Sequence, residues 1–187
     1  MSDEELIELA LNGDDNALRE LHDRYINQIF RYAYTQTGDY YRAEEVTQDI
    51  MYKMASHLGD FKRDSSFKTW LFTISRRTII DFYRKHKKHQ ANVFMPDEQM
   101  AHLPMNNASV EEQVIKKDTR KLVLERLQEL PVNDRTVLHL RFIEGLSIKE
   151  TAKAMSKTTM AIKSLQTRAK TKLAELLKSE VEHDETS

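Results

Sequence analysis

Residues Phe61 to His89 read FKRDSSFKTWLFTISRRTIIDFYRKHKKH, and the parsing of this stretch decides the fold. At 3.6 residues per turn, Phe67, Trp70, Leu71, Ile74, Thr78 and Phe82 share one side of a helix over 67–85, and that side is expected to face a core. The other side carries Thr69, Phe72, Arg76, Ile79, Ile80 and Tyr83, with Arg77 and Arg84 at its edge. From 61 to 88 there are nine Lys and Arg against two Asp, around the only tryptophan, Trp70. Cations neutralise phosphate and rings stack on exposed bases, so basic residues interleaved with aromatics suit nucleic acid. An exposed aromatic and basic stripe marks an interaction surface. The competing reading is a helix buried within a bundle, its cations snorkelling to solvent.

The rest of the chain points to helices. It has 187 residues with four Gly, three Pro and no Cys. Few breakers and no sustained alternation of apolar and polar residues predict an all-α protein. Without cysteine there are no disulfides or thiolate zinc sites, which fits a reducing, cytoplasmic compartment. No apolar run is long enough for direct membrane insertion, and the acidic start MSDEELIELA does not read as a signal peptide. The net charge of −1 hides strong segregation. Residues 1–60 carry five basic against thirteen acidic side chains, and residues 149–172 carry seven basic against one acidic. Two separate basic blocks on a near-neutral chain suggest two contacts with nucleic acid.

Local signals divide the chain. Ser2 with Glu5 forms a capping box for a helix to about Leu11, which Asn12-Gly13 ends. A second helix is expected over 15–35 and a third over 40–58, with Asp39 as N-cap and Gly59 as C-cap. On the third, Val46, Ile50, Met51 and Met54 face inward. Glu44, Glu45, Gln48, Asp49 and Tyr52 form an acidic patch, either a solvated face or a docking site for a basic partner. Residues 1–88 thus read as one helical domain. Pro96, Pro104 and lost periodicity mark 89–108 as a flexible linker. His86 and His89 lie three apart, but no carboxylate or thiol completes a metal site, so no metal or cofactor is expected.

The third part, 109–187, reads as a four-helix domain. Ser109 with Glu112 caps a helix to Leu130, Pro131 stops it, and Asn133 restarts one over 134–144, ended by Gly145. Ser147 with Glu150 caps a short helix to about Met155, and a turn over Ser156–Thr158 leads into a long helix to about Ser179, followed by a frayed acidic tail. Two helices joined this tightly form a helix-turn-helix. Small Ala152 suits the crossing, with Ile162 and Leu165 packing back. The exposed side of the second helix, with Thr158 before it, carries Thr159, Lys163, Ser164, Gln166, Thr167, Arg168 and Lys170. These are groups that reach base edges and phosphates. Ser156 stands where glycine is usual, so it must adopt the left-handed conformation.

In order and spacing these segments resemble a bacterial RNA polymerase sigma factor of the sigma-70 family, in its small extracytoplasmic-function group (ECF, group IV). Ala43 to Met54 (AEEVTQDIMYKM) resembles the polymerase-binding segment. Phe67 to Lys85 resembles the downstream promoter-element helix through Phe67, Trp70, Leu71, Ile74, Arg76, Asp81 and Arg84. Leu127 to Met155 is similar to the pattern LxxLPxxxRxVxxLxxxxGxSxxEIA, and Ser156 to Leu173 to the recognition helix. The resemblance implies that Glu45, Gln48 and Asp49, with Glu44 and Tyr52 beside them, dock on the large subunits of core RNA polymerase. It also implies that the loop 59–66 and the following helix hold the melted −10 strand, through Lys62, Arg63, Ser65, Ser66, Lys68, Phe72, Arg76, Arg77, Tyr83 and Arg84. The helix from Thr159 would read the −35 element in the major groove. Promoter DNA and an anti-sigma factor are the further partners implied, with no small-molecule substrate and no catalysis. Met160 and Ala161 depart from the usual start of the recognition helix, which bears on promoter preference.

Three rivals make distinct demands. An autonomous helix-turn-helix regulator needs a dimer interface, and no heptad seam is present. A nuclease needs a metal-spaced carboxylate cluster, which Asp64 and Asp81 do not make. A helical adaptor without nucleic acid leaves both basic blocks unexplained.

Overall fold

The computed structural model describes residues 1–87 and 110–184, with side chains over 1–87 and 118–179. All of its regular structure is helical, in two units that pack on each other. The first contains α1 (Asp3–Leu11), α2 (Asp15–Thr37), α3 (Tyr40–Ser56) and α4 (Phe67–His86). The second contains α5 (Val110–Glu129), α6 (Val132–Leu138), α7 (Ile148–Met155) and α8 (Thr159–Asp184). The expected linker and the Ser109–Glu112 capping box lie outside the described residues.

The helix starts follow local chemistry. Ser2 and Glu5 close their capping box around α1. Asp14 accepts from the Asn16 and Ala17 amides at the start of α2, and Asp39 from the Arg42 amide at the start of α3. Each satisfies a donor that the helix itself leaves open. Asp3 ties α1 to α2 by accepting from Arg24 at 2.7 Å and from the Tyr25 hydroxyl. The core of this unit is Leu6, Ile7, Leu21, Ile29, Val46, Ile50, Met54, Phe67 and Leu71, all at most 1% exposed.

Several boundaries differ from expectation. His57, not Gly59, caps the end of α3, because the chain turns immediately into a 3-10 turn over Leu58–Asp60 that contains Gly59. Pro131 is the N-cap residue of α6, and Asn133 lies inside the helix. The chain then widens into a π-type turn over His139–Ile143 before Gly145. The chain beyond Ser179 does not fray at once: α8 runs on to Asp184. Ser156 does take the left-handed conformation, with φ 53°.

Two faces bury α4. α3 and α2 pack on one side and α7 on another, so Thr69, Phe72, Ser75, Thr78 and Ile79 are all within 2% of complete burial. The outward aromatic stripe expected on this helix is therefore mostly interior. Trp70 and Ile74 are only half-buried.

Candidate nucleic-acid and polymerase interfaces

Three surfaces carry the residues singled out by sequence. On α3, Glu44, Glu45, Gln48, Asp49 and Tyr52 are all exposed while Val46, Ile50, Met51 and Met54 point inward. Tyr41 joins the same strip at 66% exposure, four residues before Glu45, and Tyr52 reaches 72%. Two exposed tyrosines flanking carboxylates and an amide make a patch with both apolar area and charge. Sequence reading missed Tyr41, although its spacing from Glu45 and Gln48 places it on that stripe. Beside it, a cleft between α3 and α4 is lined by Glu45, Asp49, Lys53, Asp81, Arg84 and His86 together with apolar Val46 and Phe82. Lys53 bridges the cleft, donating to Asp49 at 3.0 Å and to Thr78 at 3.3 Å.

The second surface is the loop before α4. Lys62 and Arg63 are exposed and Phe61 is buried against Phe67 and Trp70 at centroid distances of 5.6 and 5.5 Å. Arg63 adopts φ 58°, a left-handed conformation that costs a non-glycine residue energy. Ser66 serves as N-cap of α4, accepting from the Thr69 amide at 3.1 Å, and its hydroxyl also lies 2.9 Å from that of Thr69. Arg77 and Arg84 are exposed.

Three residues assigned to this surface are placed otherwise. Phe72 is fully buried with its ring edge-on to Tyr32 at 5.6 Å, so it offers no face to a base. The Tyr83 hydroxyl donates to the Gln36 carbonyl, and Arg135 reaches it at 3.3 Å while its guanidinium lies over the ring. Arg76 is half-buried and donates to Asn133 at 3.4 Å, and burial lowers its affinity for the proton. Phe72 is thus held within the first unit by α2, whereas Tyr83 and Arg76 are engaged by Arg135 and Asn133 of the second unit.

The third surface is the helix-turn-helix. Ser147 and Glu150 form their capping box at the start of α7. Ala152, Ile162, Leu165 and Ala169 pack inside, leaving Thr159, Met160, Lys163, Ser164, Thr167, Arg168 and Lys170 exposed along α8. Thr158 accepts from the Ala161 amide. Some of the expected readers have contacts within their own unit. Gln166 accepts from Arg141 at 2.8 Å, Lys170 sits 4.5 Å over the Phe142 ring, and Arg168 donates to buried Asp134 at 3.3 Å. Lys172 also binds Asp134, at 3.0 Å, so a carboxylate that is 1% exposed has two cations.

Between the units lies a buried polar cluster that sequence reading did not find. Glu144, with its side chain 2% exposed, takes Lys68 Nζ at 3.0 Å, His139 Nε2 at 3.3 Å and Arg31 at 3.8 Å. Lys68 also donates to the Glu144 carbonyl at 2.9 Å. The other ring nitrogen of His139 lies 3.1 Å from the Thr35 hydroxyl, and its ring meets that of Tyr32 at 5.2 Å. Burial pushes His139 below its usual range, with Arg31 and Lys68 adding to the shift and Glu144 opposing it. Burial alone would raise Glu144, but His139 and Lys68 outweigh it and hold the carboxyl below its ordinary value. Among the described residues no group of three or more His, Cys, Asp or Glu is placed to hold a metal ion. No helix there is long and apolar enough to cross a membrane.

Comparison with known proteins bears on this arrangement. Sigma-70 region 2 matches residues 21–89 and Sigma-70, region 4 matches residues 126–175. The ECF RNA polymerase sigma factor SigD of Mycobacterium tuberculosis is 30% identical over 165 residues, covering 86% of this chain and 76% of SigD. The chain belongs to the ECF RNA polymerase sigma factors. BldN of Streptomyces coelicolor, another ECF sigma factor, is 31% identical over 174 residues. That match covers 92% of the present sigma factor but only 65% of BldN. The fold matches the sigma factor RpoE of Bartonella quintana, solved with the anti-sigma factor NepR, at a TM-score of 0.69 and 24% identity. The match covers 86% of the present chain and 96% of RpoE. In family terms the α3 patch and the loop before α4 fall in region 2, and the helix-turn-helix falls in region 4.

Proposed function

We propose that this sigma factor, of the group IV type, binds core RNA polymerase and directs it to promoters with two separate DNA readers. The observation that carries the reading is the pairing of exposed surfaces on two helical units, 1–88 and 109–187. One carries an acidic and aromatic strip on α3 beside a basic loop, and the other a helix-turn-helix with a basic outer face. In this reading Glu44, Glu45, Gln48, Asp49 and Tyr52 dock on the large subunits of the polymerase. Lys62, Arg63, Ser65, Lys68, Arg77 and Arg84 hold the backbone of the melted −10 strand. Thr159, Lys163, Ser164 and Thr167 face the −35 major groove.

The physical division of labour supports this. Melting needs bases held outside the stack and a backbone neutralised by cations. Reading the intact duplex needs a helix in the groove. Each reader alone binds weakly, and joining them on polymerase raises the effective concentration of the second contact. The chemistry of RNA synthesis belongs to the polymerase, and this subunit needs no cofactor. We assign it to the cytoplasm, with an anti-sigma factor as its antagonist. Run-off transcription with core polymerase on a sheared genomic library tests the reading. New discrete starts are expected, and they vanish when Glu45, Gln48 and Asp49 are changed to Ala. No new starts, with tight duplex binding by the protein alone, would favour an autonomous regulator.

A further inference from the structure

The contacts between the two units fall on the strip assigned to promoter DNA. Lys153 of α7 donates to the Asp64 carbonyl at 2.8 Å and meets its carboxylate at 3.1 Å, in the middle of the basic loop. Lys68, at the start of α4, is taken by the carboxylate and carbonyl of Glu144. Arg76, two turns on, is taken by Asn133. A carboxylate and a carbonyl converging on one ammonium present the oxygens that a phosphate would present. Glu144 is almost wholly dehydrated, which strengthens the attraction over that of a surface pair.

We propose that Glu144 occupies the place of a promoter phosphate on Lys68, so that the second unit closes over the melted-strand site and competes with DNA for it. The inference rests on the assignment of the 59–66 loop and α4 to promoter DNA. The block is selective, because α6, α7 and the turn between them make these contacts while Thr159, Lys163 and Ser164 of α8 stay exposed. Free protein thus keeps its duplex reader open and its single-strand reader shut.

The interface is also built to release. It includes buried polar groups: Thr35, Gln36, Arg135 and His139 are each at most 5% exposed. Among the described residues neither side-chain atom of Gln36, nor the Nε of Arg76 or of Arg135, has a hydrogen-bond partner. Buried polar groups left unsatisfied work against the state that buries them. Polar contacts of this kind between domains open more readily than apolar ones. Closure is therefore marginal, and a strand phosphate can displace Glu144.

Since the chain has no cysteine, Asn16→Cys and Lys178→Cys, at exposed positions on the two units, give a single dye pair. Its energy transfer reports closure in the full chain. Glu144→Gln keeps the shape and removes the charge, and it is expected to lower the transfer efficiency. A 20-nucleotide mixed-sequence single strand is expected to lower it in the wild type. The same strand should bind Glu144→Gln about fivefold tighter, as when the open fraction rises from about a tenth to about a half. Circular dichroism checks that the variant folds. If it does not, Lys68→Gln tests the same contact from the exposed side and should lower transfer likewise. Wild-type transfer in both folded variants would overturn the proposal, as would a strand that binds without opening the chain. A strand that binds no variant while Glu144→Gln still opens would overturn the promoter-loop assignment, and with it the competition, but not the latch.

Discussion

A ring on a basic helix stacks on a base only if one of its faces is open, and Phe72 has none. It is fully buried against Tyr32, which in turn meets His139 of the second unit. Phe72→Ala should therefore cost about 3–5 kcal/mol, seen in urea titration as early loss of the first unit's helical signal. An unchanged midpoint with weakened DNA binding would show the ring to be a surface platform instead. Ser156 gives the opposite case. It holds φ 53°, where its Cβ is strained. Ser156→Gly should stabilise the helix-turn-helix by roughly 0.5–1 kcal/mol, the relief of left-handed strain less the added chain entropy of glycine. A lowered thermal midpoint would contradict this.

At the scale of elements, local capping and tertiary contact act separately. The α7 capping box is exposed and self-contained: the Glu150 amide donates to Ser147 Oγ at 3.1 Å and the Ser147 amide to Glu150 at 2.7 Å. Ser147→Ala should cost about 1 kcal/mol of the second unit's stability, with the first unit's transition unmoved. The end of α2 responds differently. Gly38 closes the helix at φ 65°, and a Cβ there would stand 2.9 Å from the Gln128 side chain. That close approach lets Gln128 donate to the Thr35 carbonyl at 2.6 Å. Gly38→Ala should both strain the turn and push the units apart, lowering energy transfer between the dyes. Unchanged transfer would show that Gln128 simply moves aside.

For the whole molecule, the arrangement of the units should depend on pH. His139 is faced by Tyr32, Thr35 and Arg31 from α2, Lys68 from α4 and Glu144 beyond its own turn. Its proton affinity is lowered in the closed state. Closure is therefore fully supported above the ordinary histidine value of 6.5 and weakens as pH falls from there toward the depressed value. Glu144, also lowered, adds a loss in the same direction below its ordinary 4.5. Transfer efficiency should fall between about pH 7 and pH 5.5, the range in which an ordinary histidine gains its proton. The fall should be absent in His139→Gln. A profile unchanged in that variant would place the titrating group elsewhere.

Much of this protein is legible in its sequence because the signals are local. Ser2–Glu5, Asp39 and Ser147–Glu150 mark helix starts through side chains reaching three residues along the chain. The all-α class follows from 3.6-residue periodicity, and the exposed face of α3 follows from the burial of Val46, Ile50 and Met54 on its other side. The two basic segments were visible as blocks of charge. Whether a given cation is free was not, because that depends on residues far away in sequence. Lys68 and Glu144 are 76 positions apart, and Arg76 and Asn133 are 57. The available hint was polar side chains on a buried stretch: Thr35 and Gln36 at the end of α2, and His139 among apolar neighbours. Sequence thus determined the helices and the charge of each surface, which arise from neighbours along the chain. Only the packing of one unit on the other decided which of those charges stay open to solvent and which are paired.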